Sequence, residues 1–557
     1  MKPKKRENPV HEVKSMKVQT WVAAELSFTG TIKYDNPFEE VDLNVTFTCG
    51  RHKFVMPGFW DGGQIWRCRF ALPKAGVWHY AASSTDPANK GLTGEGDIEC
   101  VKYEGDLPIY QHGFVKTEPG KRYFVYDDGT PFFYLGDTHW NFAVEEFDEP
   151  GDHADDLACD SHFKKIVDVR REQGFNVYQS EPIGARYSLS KGLFESDIEG
   201  FKDLDRRFAY IAENGFVHAN AQLLFPRDVV RMERYDDEAY LIRLARYWAA
   251  RYAAYPVMWT LGQEVDNDFY FTRGDQKRFE KENNPFKLFA KGLHDNDPYR
   301  HPLTAHMEYC SLVPGPAGDG TAPSLSAFRE VPGHDWFGYQ WSRGLDRPLD
   351  YEFARDGFLN GQGKVCILYE SRYDRLWTKE YGARSEGWIA YLNGLYGYGY
   401  GAIDIWLYKS TYDINRESND GYDIATPEDK QLHWSKSVFF DTAKQMGYMK
   451  AFFEKLAWWK LVPRFNSPAW FTPDGENFHS VASDERNTIV IYFFRRDDFS
   501  TGVLHNLEKV EYTYQWFNPR TGVYGEKRSF WPDAHRDYRI EQKPDKFDWV
   551  LLVEKKK

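Results

Sequence analysis

From Pro131 onward, short apolar runs alternate with segments whose apolar residues recur at helical spacing, and no other feature limits the fold as much. Strands are predicted at 132–135, 176–179, 217–223, 257–261, 303–307, 336–339, 365–369 and 402–407. Between them, Phe163, Ile166, Val167 and Arg170 share a helical face ahead of Gly174, and Leu204, Phe208 and Ile211 do so ahead of Gly215. Leu241, Leu244, Ala245, Trp248 and Tyr252 form a longer stripe that stops before Pro256; Trp388, Ile389, Leu392 and Leu395 form another. Apolar strands alternating with helices make βα units, whose parallel sheet must be covered by helices. Eight alternations predict an α/β architecture, a (β/α)₈ TIM barrel. A doubly wound sheet would carry a Gly-rich phosphate turn after its first strand, and none follows here.

The flanks have a different texture. Leu43-Asn44-Val45-Thr46-Phe47 and Ile65-Trp66-Arg67-Cys68-Arg69-Phe70 alternate with period two, separated by turns such as Asp61-Gly62-Gly63. This predicts an immunoglobulin-like antiparallel sandwich over residues 15–105. A helix-like tail at 439–461 closes the barrel, and 488–494, 510–517 and 549–553 alternate again. The expected organisation is therefore a barrel over 106–462 flanked by an N-terminal β-sandwich and a smaller C-terminal one over 463–557.

A net charge of −13 excludes nucleic acid and anionic membrane as natural partners. No stretch of 18 apolar residues is present, so no membrane span is expected. The basic start Lys2-Pro3-Lys4-Lys5-Arg6 lacks a following apolar run, which leads to an expectation of cytoplasmic location. Six cysteines without CxxC spacing are expected as free thiols rather than zinc ligands. The pattern carries no signal for oligomeric state. Aromatic residues reach 17%, more than a core of this size calls for, and flat rings suit stacking on sugar C–H faces as well as β packing.

Chemistry in such a barrel collects at the C-terminal ends of the strands. The fourth predicted strand runs Val257-Met258-Trp259-Thr260-Leu261 and finishes in Gln263-Glu264; the seventh finishes in Glu370. A carboxylate at the end of a buried strand needs a task or a partner. Two carboxylates at one mouth suit glycoside hydrolysis, with Glu264 as acid/base and Glu370 as nucleophile. Pairing with Arg372 or Arg375 is the plainer alternative. A retaining pair stands roughly 5–5.5 Å apart, an inverting pair roughly 6.5–9.5 Å.

The segment Phe132-Phe133-Tyr134-Leu135-Gly136-Asp137-Thr138-His139-Trp140, taken with Trp259-Thr260-Leu261-Gly262-Gln263-Glu264 and Glu370-Ser371-Arg372-Tyr373-Asp374, resembles the apiosidase-like glycoside hydrolases. The N-terminal sandwich, with Phe59-Trp60-Asp61-Gly62 and Gly76-Val77-Trp78, resembles the accessory module that often precedes such barrels. The resemblance implies a retaining glycosidase acting on an oligosaccharide or glycoside. The family pattern usually carries Asp after a Gly-Gly pair on strand four, where this chain has Gln263-Glu264. Gln263 stands where related clan members carry Asn before the acid.

Placed by strand end, Asp137, His139 and Trp140 are expected to line the innermost sugar subsite, with Trp140 stacking. Glu181 ends strand two, His306 precedes Glu308 at the end of strand five, and Tyr339 ends strand six, from where it could hold the nucleophile ionised. Trp406, assigned to strand eight, is expected to form a floor under the sugar. No cofactor and no metal are called for. Two alternatives stay open: a metal-dependent barrel hydrolase, although paired strand-one histidines are missing, and a non-catalytic carbohydrate-binding protein.

Overall fold

The computed structural model describes residues 16–140, 161–180, 189–221, 232–234, 236–262, 265, 284–307, 331, 333–340, 351–374, 382–406, 434–475, 479–495 and 499–556. Among them, eight parallel strands close into a barrel: Tyr134–Thr138, Val177–Ser180, Val217–Ala221, Val257–Leu261, Leu303–Met307, Trp336–Gln340, Val365–Glu370 and Gly397–Tyr400. The first and last strands pair from Tyr134 with Gly397 to Asp137 with Tyr400, which removes the sheet edges.

The helices lie where the apolar spacing sets them. His162–Glu172 begins with Ser161, whose Oγ accepts from the Lys164 N–H at 3.1 Å, and the chain leaves it through Gly174 at φ 90°. Glu238–Tyr252 is capped by Asp237 in the same manner and buries Leu241, Leu244 and Trp248. Gly382–Leu392, the helix after strand seven, is buried from Ala383 to Leu392.

Below the barrel, a three-stranded sheet (Val115–Lys116, Phe124–Tyr126, Pro131–Phe132) forms a floor. The Phe124 ring meets those of Tyr134 and Trp336 at 5.7 and 5.4 Å, so the lower barrel is packed rather than hollow. One layer higher, Gln179 points inward. Its amide donates to the Tyr369 carbonyl at 2.7 Å, and its Oε1 accepts from the Tyr134 hydroxyl at 3.0 Å. A Cβ at Gly136 or Gly399 would sit 2.1 or 2.6 Å from that oxygen, so both strands must carry glycine there.

Two strand assignments are corrected by the structure. Strand eight is Gly397–Tyr400, not 402–407; Ile403–Trp406 is a short helix beyond it. The Gly-Tyr-Gly-Tyr sequence looks like a loop, but Gly397 makes room for Ile367 and Gly399 for Gln179, while the Tyr398 hydroxyl donates to the Ala383 carbonyl at 2.8 Å. Strand one starts at Tyr134, because Pro131–Phe132 pairs with the floor sheet instead.

Before the barrel, a five-stranded sheet (Met16–Gln19, Gly94–Val101, Gly76–Ser84, Leu43–Cys49, His52–Pro57) accompanies a three-stranded one (Ala24–Thr29, Ile65–Phe70, Phe59–Trp60). This β domain is tied to the barrel helices by buried charge. Arg69 reaches Asp205 and the Arg251 carbonyl, and Arg251 bridges Asp205 at 2.7 Å and Asp61 at 3.0 Å. Removing one member of such a network costs about 3–5 kcal/mol, because the others stay buried and charged. After the barrel, a seven-stranded sheet and a three-stranded sheet form the C-terminal β domain.

Candidate active site

Strand seven delivers Glu370 to the barrel mouth by breaking its own alternation. Cys366 faces the helix layer, its Sγ 3.3 Å from the Gly357 carbonyl, and strict period-two alternation would send Leu368 and Glu370 the same way. The ladder to strand six instead pairs Tyr339 with Leu368 and Gln340 with Glu370, leaving Tyr369 as an extra residue. Such a bulge re-aims the side chain that follows it.

The buried Glu370 carboxylate has a polar neighbour at each oxygen. The Tyr373 hydroxyl donates to Oε1, and His306 Nε2 lies 2.9 Å from Oε2. Tyr373 in turn accepts from Trp140 Nε1 at 2.5 Å, so one chain of bonds runs from the end of strand one to the end of strand seven. The Trp140 ring centroid lies 5.8 Å from both His306 and Tyr369, and the Tyr369 ring packs edge-on to His306 at 5.1 Å. Aromatic walls surround one carboxylate, one imidazole and one phenol.

The turn after Glu370 is fixed residue by residue. Ser371 Oγ donates to the Gly399 carbonyl at 2.7 Å, the Asp374 N–H donates to the Gly401 carbonyl at 2.8 Å, and the Arg372 N–H donates to Glu386 at 3.2 Å. On the fourth strand, Gly262 adopts φ 53°, where a Cβ would meet Val265 at 2.5 Å, and the Val265 N–H donates to the His306 carbonyl at 3.0 Å. Val265 is thereby tied to the end of strand five at the His306 backbone.

Trp140, His306 and Glu370 are brought together by the fold. Asp137 and His139 have the opposite parity to Trp140 on strand one. Asp137 Oδ1 lies 2.9 Å from Arg170 Nε of the His162–Glu172 helix, both side chains 1% exposed. His139 Nδ1 bonds the Tyr178 hydroxyl, next to His218, whose Nε2 lies 2.7 Å from Ser180 Oγ. Burial, with His139 close by, holds the His218 imidazole well below its ordinary pKa, so it stays neutral. The Tyr339 hydroxyl lies 3.6 Å from Cys366 Sγ, on the helix side. Trp406 ends the short Ile403–Trp406 helix, and nothing is described of its side chain; Glu181, Gln263 and Glu264 lie outside the described residues.

Tyr373 was not singled out by the sequence, although it stands three residues after Glu370, the reach of one tight turn. Tyr373→Phe keeps the ring and removes both bonds made by the hydroxyl. If the site acts as proposed below, this variant should fold normally and lose about 10- to 100-fold in kcat with little change in KM. Circular dichroism with steady-state kinetics checks this.

A parallel eight-stranded barrel with a carboxylate held at the end of strand seven defines the class. The chain belongs to the apiosidase-like family, whose catalytic domain matches residues 118–460. A domain of unknown function, DUF5060, matches residues 17–85, and a candidate collagen-binding domain of a collagenase matches 472–554. No curated protein matches the chain. Among solved structures, a candidate glycoside hydrolase from Bacteroides vulgatus ATCC 8482 is 19% identical with TM-score 0.66, covering 97% of this chain and 100% of that one. A glycoside hydrolase of family 5 from the same organism is 15% identical with TM-score 0.60, covering 81% and 95%. At these identities the structures speak to the fold; the family places the chain among glycoside hydrolases. Among the described residues no helix is long and apolar enough to cross a membrane.

Proposed function

We propose that the protein is a retaining O-glycosidase acting on plant or microbial oligosaccharides, with Glu370 as nucleophile and Glu264 as acid/base. The observation that carries the reading is the Glu370 carboxylate itself: it is buried at the barrel mouth, gripped by Tyr373 and His306, and walled by Trp140. A strand-end carboxylate with a phenol donating to one oxygen and an imidazole against the other suits in-line attack on an anomeric carbon.

In the first step Glu370 forms a bond to the anomeric carbon while the glycosidic C–O bond breaks, and Glu264 gives its proton to the departing oxygen. In the second, Glu264 takes a proton from water, whose oxygen bonds the anomeric carbon as the ester to Glu370 breaks. His306 and Tyr373 steady the charge that Glu370 loses and regains. Trp140 supplies the stacking wall, with Gln263, Glu181 and Trp406 as further sugar contacts; Asp137, His139 and Tyr339 stiffen the strand ends from the helix side.

The reading is tested on a panel of chromogenic aryl β-glycosides and α-L-arabinosides, apiosides included, with and without a chelator. Hydrolysis of at least one member, unaffected by chelator and retaining anomeric configuration by proton NMR, is expected. Binding without turnover across the panel would favour a carbohydrate-binding protein, and loss of turnover with chelator a metal-dependent hydrolase.

A further inference from the structure

The helix after strand seven carries a carboxylate that the mechanism does not use. Glu386, 1% exposed, accepts from the Arg372 N–H through Oε2 at 3.2 Å, and its Oε1 lies 3.2 Å from Arg372 Nε. It therefore grips backbone and side chain of the one residue between Ser371, tied to strand eight, and Tyr373, which holds Glu370. Burial pushes the Glu386 carboxyl up to about 7, against the pull of Arg372. A buried carboxyl of that kind has no packing rationale and needs its hydrogen-bond partners.

The opposite face of the same helix is bolted to the C-terminal β domain. Arg384 makes two 2.8 Å bonds to Asp548, Ser385 Oγ lies 2.8 Å from the Tyr492 hydroxyl, and the Trp388 ring stacks on Tyr492 at an interplanar angle of 3°. At about 100° per residue, Arg384, Ser385 and Trp388 fall within one arc of about 100°, while Glu386 points about 160° away from Arg384. One face meets the C-terminal sheet and the other meets the catalytic turn.

We propose that Glu386 is a positioning residue for Glu370, fixing the Ser371–Tyr373 turn from a helix that the C-terminal β domain holds in place through Asp548. The proposal rests on the glycosidase reading for its kinetic consequence but not for its structural one, so two measurements separate them. The first is hydrogen–deuterium exchange of the peptide spanning 370–374. In Glu386→Gln, which keeps volume and one acceptor but loses the charge facing Arg372, exchange there should rise about fivefold, with the barrel strands elsewhere unchanged. Asp548→Asn should raise exchange in the same peptide by a smaller factor. Unchanged exchange at 370–374 in Glu386→Gln overturns the proposal, whatever the enzyme's activity.

The second measurement is kinetic. On a substrate cleaved by the wild type and not by Glu370→Ala, Glu386→Gln should lose about tenfold in kcat with KM within twofold, because a turn displaced by a fraction of an ångström misaligns the attack without removing a sugar contact. Glu386→Ala should lose more, and Gln should restore part of that loss. Wild-type kcat in a Glu386→Gln variant overturns the proposal, whereas full activity in Glu370→Ala overturns the glycosidase reading and leaves the clamp to the exchange measurement.

Discussion

Glu370→Ala should reduce turnover by at least about 10⁴-fold on every substrate that the wild type cleaves, equivalent to about 5 kcal/mol of transition-state stabilisation. The loss should not depend on the leaving group, because without the carboxylate no glycosyl-enzyme forms from any substrate. The fold should survive. The alanine removes a buried charge together with the demand it places on Tyr373 and His306, and the turn keeps its ties to Gly399, Gly401 and Glu386. Steady-state kinetics on activated and unactivated glycosides, with a thermal melt of the variant, checks both halves. A folded variant with more than about 1% of wild-type kcat would remove Glu370 from the mechanism.

Glu264→Ala should behave differently. A proton donor matters in proportion to how poor the leaving group is. Substrates with nitrophenol-class leaving groups should therefore lose at most about tenfold in kcat/KM, which reports the first step, while unactivated glycosides lose about 10²- to 10⁴-fold; kcat on the activated substrates should fall further, because the second step has lost its base. Azide should restore much of the rate on activated substrates, since it fills the vacated space and attacks without needing a base, giving a β-azide from a β-glycoside. Equal loss on all substrates with no rescue would move the acid elsewhere, with Asp266 the first candidate. Val265, the described residue next to Glu264, bonds the carbonyl of His306, the residue whose Nε2 lies 2.9 Å from Glu370.

Much of the barrel was legible because buried parallel strands must be apolar runs and their covering helices must be amphipathic; Val257–Leu261 and Leu303–Met307 lie at their predicted bounds. Strand eight was not, because Gly397 clears Ile367 and Gly399 clears the Tyr369 carbonyl and Gln179, residues distant in sequence, and local pattern cannot signal a demand made by neighbouring strands. Within the site, Glu370 could be found from its place after an apolar strand, but not the bulge at Tyr369 that turns it inward, which depends on the register with strand six. The same limit applies to strand one. The residues Asp137, Thr138, His139 and Trp140 read as one polar cluster, yet alternation sends Asp137 to Arg170 and Trp140 to Tyr373. Glu386 gave no signal at all, since a glutamate in a helix is ordinary until the turn it grips is known.

In the proposed mechanism Glu370 carries the sugar between the two steps. The most direct test incubates the protein with an activated 2-deoxy-2-fluoro analogue of its best glycoside, whose fluorine slows the second step more than the first, followed by proteolysis and peptide mass mapping. A single adduct of one glycosyl unit on Glu370 is expected, absent from Glu370→Ala. An adduct on any other carboxylate, or turnover of the analogue by the wild type with no covalent species at any time, would contradict it.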